Sequence, residues 1–152
     1  MGVLRDAVSC TVTEERNGAF ELEMVYPITG QHYSSLALRG LILAKPNPYG
    51  EAQYFRIYKI SRPINGQVTV NAQHISYDLS GIPVGPCKAL NAVDALQQLK
   101  SHAAVSCDYQ FWTDIQTVAD FAVAVPGTCA PAGRRGGSVL DVYGGEYEWD
   151  NT

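Results

Sequence analysis

The residues that could carry out nucleophilic chemistry in this sequence are three histidines and four cysteines. A histidine that takes the proton of a cysteine thiol creates a strong nucleophile, and His74 lies on a predicted strand from which it could face Cys10. No third residue that would orient the imidazole is evident. A histidine on a strand is more often an interior polar group with a backbone partner, so we assign no catalytic residue.

Acidic and aromatic residues alternate near the end of the sequence. In an extended segment Glu146, Glu148 and Asp150 would share one face, and Tyr147 and Trp149 the other. Three carboxylates could hold a cation, but a solvated face above a packed one is the commoner arrangement. No other set of metal ligands is visible, so we predict no metal and no other cofactor.

The cysteines are far apart in the sequence, which argues against both a zinc site and a disulfide framework. Zinc ligands usually come in closely spaced pairs, and disulfide frameworks belong mainly to short secreted chains. The first ten residues do not resemble a signal peptide, and no apolar run approaches the roughly 20 residues that cross a bilayer. We expect no membrane binding and four reduced, mostly buried thiols, at Cys10, Cys87, Cys107 and Cys129.

The charge balance is mildly acidic. Lys and Arg together number 11, against 15 Asp and Glu, and the formal net charge is −4. Proteins that bind the phosphate backbone usually carry clustered basic residues, and this sequence has no Lys/Arg run. Residues 136–138 (GGS) are too short for a phosphate-binding P-loop. We therefore predict no specific binding of nucleic acid.

The first half of the sequence predicts antiparallel β-structure up to about Gly81. Residues 7–15 and 19–26 form a predicted hairpin around Asn17-Gly18. A three-residue loop, 16–18, sets Val12 against Leu22 and Cys10 against Met24, which keeps one face apolar. The same loop would give Gly18 the left-handed backbone conformation.

Three further strands are predicted before residue 81. Residues 41–44 fit a short buried strand, and residues 53–62 and 67–77 are rich in the residue types typical of strands. Residues 63–66 (PING) supply a turn between the last two strands. These elements predict an antiparallel barrel or sandwich.

The composition changes at residues 82–86 (IPVGP), which indicates a domain boundary or a sharp change in the direction of the chain. A helix capped by Asn91 follows, with an apolar face predicted at Val93, Leu96, Leu99 or Lys100, and Ala103. Strands are predicted at residues 109–113 and 119–125, the second with Phe121, Val123 and Val125 on one side. Residues 130–137 should form a mobile loop, and residues 138–143 one helical turn.

The predicted fold class is therefore α+β and mainly β, in two parts. An antiparallel β-barrel occupies residues 1–81, and a small α/β segment, an α+β domain of the insertion type, occupies residues 82–152.

Four segments of the sequence carry a resemblance to a bacteriophage family. They are residues 8–18 (VSCTVTEERNG), 55–58 (FRIY), 74–79 (HISYDL) and 137–150 (GSVLDVYGGEYEWD). In order and spacing they resemble the N-terminal region of phage minor structural proteins, also called prophage tail endopeptidases or tail-associated lysins. The last segment is similar to the most recognisable motif of that family.

The resemblance implies a baseplate-hub subunit of the phage tail tip, made in the bacterial host cytoplasm and carried in the virion. It implies a ring, generally a trimer, that joins the tail tube to the tip and lets DNA pass without specific binding. The other partners would be distal tail and tail-tube proteins. The implied fold is a β-barrel with a small α/β insertion, and the chain would be part of a longer protein.

Two other functions are alternatives to a structural role. The family name suggests a peptidoglycan endopeptidase, although in such members the catalytic module lies far beyond this region, so no catalytic residue is carried over. Aromatic residues suggest a β-module that binds host glycans, with Trp112, Tyr109 and Trp149 as the candidates.

Overall fold

The computed structural model describes residues 2–106, 109–128 and 137–149. It confirms the predicted fold class, because the chain is mainly antiparallel β-structure with few helices. Two compact units are present. Unit 1 comprises the described residues up to Ile75 together with Trp149, and unit 2 comprises the described residues of Ser76–Glu148. The division falls at Ile75, whereas the sequence places the boundary after Gly81.

Unit 1 is one antiparallel sheet of five strands, curled into a half-barrel. Its order in space is β1-β2-β5-β4-β3, so that β1 and β3 are the two edges. The strands are β1 (Ser9–Glu14), β2 (Phe20–Pro27), β3 (Leu41–Ala44), β4 (Gln53–Ile60) and β5 (Gln67–His74).

The β1–β2 hairpin has the predicted register but a different turn conformation. Cys10 lies opposite Met24 and Val12 opposite Leu22, as expected for a three-residue loop. The left-handed residue is Asn17, with φ of 51°, and the prediction for Gly18 was wrong. The Gly18 amide donates to the Glu15 carbonyl at 2.9 Å. This turn therefore places the positive φ one residue earlier, where asparagine tolerates it.

The turn between β4 and β5 lies where residues 63–66 predict it. Ile64 and Gln67 exchange two backbone hydrogen bonds of 2.9 and 3.0 Å. Asn65 and Gly66 between them have φ of 51° and 75°. Two consecutive positive φ values are typical of a type I′ turn, whose twist matches that of the flanking strands. After His74 the chain enters a 3-10 helix, Ile75–Gly81, so β5 ends earlier than predicted.

The core of unit 1 lies on the concave face of the sheet, where alternate residues of β2, β4 and β5 are buried. The edge strand β3 differs from its prediction as a buried strand. Only Ile42 is buried there, while Leu41 and Leu43 remain 53% and 46% exposed. An edge strand with one covered face buries only alternate residues, although its short apolar run resembles a central strand.

Unit 2 has a smaller core of its own. It contains β6 (Pro83–Val84), β7 (Cys87–Asn91), α1 (Ala92–Ser101), β8 (Val118–Val123), β9 (Gly127–Thr128) and α2 (Val139–Tyr143). Strand β6 pairs with β9 and β7 with β8, both antiparallel. The buried core residues come mainly from β7, one face of α1, β8 and α2.

Side-chain caps begin helices α1 and α2. The Asn91 side chain accepts a hydrogen bond from the Asp94 amide at 2.9 Å, which confirms the predicted start of α1. The buried face was predicted only in part. Leu96 and Leu99 are buried, but Val93 is 48% exposed. Ala92 and Ala95 occupy the buried face, because small residues let the helix approach the sheet closely.

Other predictions for the second half had mixed outcomes. Residues 109–113 form no strand, and Phe111 packs against the core of unit 2. The strand predicted at 119–125 is β8, and Val125, 71% exposed, lies beyond its end. The helical turn at 138–143 is confirmed as α2, with Ser138 as its cap. The loop predicted at 130–137 lies outside the described residues except for Gly137.

Candidate functional site

His74 and Cys10 do not form a catalytic pair. Cys10 is exposed on the edge strand β1, and His74 is 1% exposed at the end of β5. Cys10 lies opposite Met24, which lies opposite Val70, four residues before His74 on β5. At about 3.3 Å per residue this offset is roughly 13 Å, far beyond the reach of a proton transfer.

His74 instead belongs to a group of packed side chains in unit 1, all buried except the half-buried Trp149. We call this group the His74 cluster: His74, Gln53, Phe20, Phe55 and Trp149. The imidazole stacks on Phe20, with ring centroids 4.5 Å apart. The ring of Phe55 meets the imidazole edge-on at 5.7 Å, and the indole of Trp149 lies at 5.9 Å. The imidazole therefore has aromatic rings on several sides.

Gln53 connects the two ends of the His74 cluster. Its Oε1 lies 3.1 Å from His74 Nε2, and its Nε2 donates to the Trp149 carbonyl at 3.1 Å. Because the amide oxygen can only accept, this network assigns the proton to His74 Nε2. The arrangement attaches the chain at Trp149 to the sheet, 96 residues after Gln53. The role of this hydrogen-bond network is structural.

The acidic and aromatic alternation near residue 149 is present without a strand. Tyr147 and Trp149 are half-buried, while Glu146 and Glu148 are exposed. Asp150, the third candidate carboxylate, lies outside the described residues. Within residues 2–106, 109–128 and 137–149, no group of three or more His, Cys, Asp or Glu residues could hold a metal ion.

The described cysteines are both free thiols, in different surroundings. Cys87 is buried in the core of unit 2, and desolvation raises the pKa of its thiol. Cys10 is exposed, so the expectation of burial was wrong there, because β1 is an edge strand whose concave side is uncovered. Cys107 and Cys129 lie outside the described residues.

The candidate glycan-contacting aromatics have unequal exposure. Trp112 is 83% exposed in unit 2, and Tyr109 is half-buried. Trp149 packs against His74 in unit 1. Trp149 is therefore used in the core of its own unit, and Trp112 is the most exposed of the three candidates.

The edge strand β1 leaves an apolar stripe uncovered on the concave side of the sheet. Val8, Cys10 and Val12 lie on the same face as buried residues of β2. Val8 is nevertheless 60% exposed and Cys10 is exposed, while Val12 is half-buried. Exposed apolar residues beside a row of unpaired backbone groups are typical of a site that another strand covers.

The other edge strand, β3, presents apolar residues on the convex side. Leu41 and Leu43 are about half exposed there, and Tyr58 on the adjacent strand is 47% exposed. In the described part of the chain, no strand pairs with the outer side of β1 or of β3. Sequence reasoning missed both edges, because it predicts strands without giving their order in space.

Comparison with known proteins gives no relative for this chain. No family model, no curated protein and no solved structure matches it. Membership of the phage family thus stays a prediction from the segments described above. None of the helices in the described ranges is long and apolar enough to cross a membrane.

Proposed function

We propose that the chain is a structural subunit of a bacteriophage tail tip, a baseplate-hub protein that associates with copies of itself. In the full-length protein the copies form a ring, trimeric in the resembled family, between the tail tube and the tip. The ring also contacts distal tail and tail-tube proteins and surrounds a passage for DNA. The subunit is carried in the virion and has no enzymatic activity of its own.

The observation that carries this proposal is the open half-barrel of unit 1. A sheet with two unpaired edges and exposed apolar residues at each is a poor end state for an isolated domain, because such edges pair readily with other chains. Association of copies would cover them. The resemblance in segments 8–18 and 137–150 supplies the phage context for that association.

The charge balance supports a passage through which DNA moves without being held. The formal net charge is −4, and basic residues form no run. The resemblance would place some of the acidic residues toward the passage, where they would repel phosphate groups at short range. DNA would therefore slide past with little friction.

Immunoelectron microscopy tests this proposal. Antibodies against the chain should label the tip of the tail on purified tailed particles whose genome encodes the chain. Labelling of the capsid, or of no particle component, would contradict the proposal. Zymography on peptidoglycan with the 152-residue chain should show no clearing; a cleared zone would favour the endopeptidase alternative.

A host-glycan-binding role is a second candidate, favoured by one observation. Trp112 is 83% exposed, and an exposed indole is a typical platform for a sugar ring. Glycan-array binding that is lost in Trp112→Ala but kept in a Tyr49→Ala control, whose ring is 98% exposed, would support this role. An array without signal would argue against this role.

A further inference from the structure

Charge is segregated across the sheet of unit 1. Between residues 5 and 27, which include β1 and β2, five acidic residues outnumber two basic ones. Between residues 39 and 62, which include β3 and β4, five basic residues outnumber one acidic residue. The central strand β5 carries no Asp, Glu, Lys or Arg. One half of the sheet is thus acidic and the other half basic.

The acidic half of the sheet ends in the open edge β1, and the basic half ends in the open edge β3. Glu14 and Glu15 lie at the end of β1 and are exposed. Lys45 directly follows β3 and Arg39 precedes it, and both are exposed. Two β1 edges would repel one another, as would two β3 edges. A β1 edge and a β3 edge attract, so the charge pattern favours contact between unlike edges.

The number of strands determines the direction of such a contact. Neighbouring strands alternate in direction across the antiparallel sheet, so the first and fifth strands, β1 and β3, run the same way. When two copies join edge to edge with the same orientation, β1 of one copy and β3 of the other are parallel. This direction places the acidic end of β1, at Glu14, beside Lys45 of the second copy.

We infer that the occupant of each open edge is a second copy of this chain, with β1 pairing in parallel with β3 of its neighbour. The inference rests on the proposed structural role and names the surface through which copies associate. The contact is head to tail, so that every copy uses both of its edges. It covers Val8 and Cys10 on one copy with the β3 edge of the next.

Charge reversal in the 152-residue chain tests this contact by sedimentation velocity over a wide concentration range. We expect weak, concentration-dependent association of the unaltered chain at low salt. The variants Glu14→Lys and Lys45→Glu should each lower the association constant about tenfold, since like charges then meet at the contact. Controls with the same change of charge in unit 2 are Asp120→Lys and Lys88→Glu, both at exposed positions, and they should associate as the unaltered chain does.

An equimolar mixture of the two edge variants provides the decisive measurement. Each variant repels itself, but in the mixture the basic β1 edge of Glu14→Lys can face the acidic β3 edge of Lys45→Glu, and the unchanged edges also attract. The mixture should therefore associate about as well as the unaltered chain. At about 1 M salt, where the screening length falls to about 3 Å, the variants and the unaltered chain should become similar.

Three results would overturn the inferred contact. The first is an association constant that Lys45→Glu leaves unchanged. The second is a control variant in unit 2 that weakens association as much as the edge variants do. The third is an unaltered chain that stays monomeric at every concentration. The tail location is measured separately by immunoelectron microscopy. Tip labelling together with an insensitive Lys45→Glu variant would reject the contact and retain the proposed function. Loss of tip labelling would reject the function instead.

Discussion

Replacing Gln53 by leucine should destabilise unit 1 strongly, because Gln53 holds two parts of the His74 cluster together. The side chain is 7% exposed and bonds both His74 Nε2 and the Trp149 carbonyl. Leucine has a similar volume, so the substitution leaves little cavity. The substitution removes the acceptor for the buried His74 Nε2 and the donor to the partly buried Trp149 carbonyl.

The size of the effect follows from those two groups. A buried polar group that loses its partner costs about 1–3 kcal/mol, and a partly buried one costs less because water can reach it. Leucine gains some apolar burial, which offsets part of the loss. We expect a net loss of about 2–3 kcal/mol. With a urea dependence of about 2 kcal/mol per molar, the midpoint of unfolding should fall by about 1–1.5 M.

Urea denaturation followed by circular dichroism and tryptophan emission measures this loss. In a Trp112→Phe background Trp149 is the remaining indole, so its emission reports detachment of Trp149 from the sheet. The matched control is Gln73→Leu, a half-exposed position on β5, where the change should stay within about 0.5 kcal/mol. Equal midpoints for Gln53→Leu and Gln73→Leu would refute the role given to the His74 cluster.

Three further predictions concern individual positions. Gly66→Ala should destabilise unit 1 by about 1 kcal/mol in urea denaturation, because the backbone φ of Gly66 is 75°. The control is Gly81→Ala, where an added Cβ would also meet no atom within 4 Å and φ is not left-handed, so this change should not destabilise the protein. Equal losses of stability in the two variants would contradict the turn. Asn91→Ala should cost unit 2 about 1 kcal/mol through loss of the α1 cap, and an unchanged urea midpoint would argue against that cap. Burial raises the pKa of both Cys87 and Tyr143, so their neutral forms are favoured in the folded state. The free energy of unfolding should therefore stay constant below the unfolded thiol pKa of about 8.5 and fall as the pH rises above it. A urea midpoint that increases toward about pH 10 would contradict this sign.

Local features of the fold could be predicted from the sequence because neighbouring residues determine them. The register of the first hairpin follows from one apolar face and a three-residue loop, and Cys10 indeed lies opposite Met24. The Asn65-Gly66 turn and the Asn91 cap follow from side chains that bond or shape the adjacent backbone. Even so, the positive φ of the first loop falls on Asn17, since small changes in turn geometry move it by one residue.

The spatial order of the strands could not be predicted in this way. Nothing in residues 41–44 distinguishes an edge strand from a central one, and the exposure of Leu41 and Leu43 depends on what lies beside them. The contacts within the His74 cluster could not be predicted for the same reason, because they join residues that are distant in the sequence. Gln53 and Trp149 are 96 residues apart, and a buried glutamine carries no sequence signal until its partners are known.

A low-resolution image of the full-length protein tests the central claim most directly. If the chain is a hub subunit that associates through its open sheet edges, negative-stain electron microscopy should show closed rings with a central passage wide enough for duplex DNA. Charge reversal at Lys45 should reduce the fraction of rings. Uniform monomers, or compact particles without a passage, would contradict the proposed role in the tail tip.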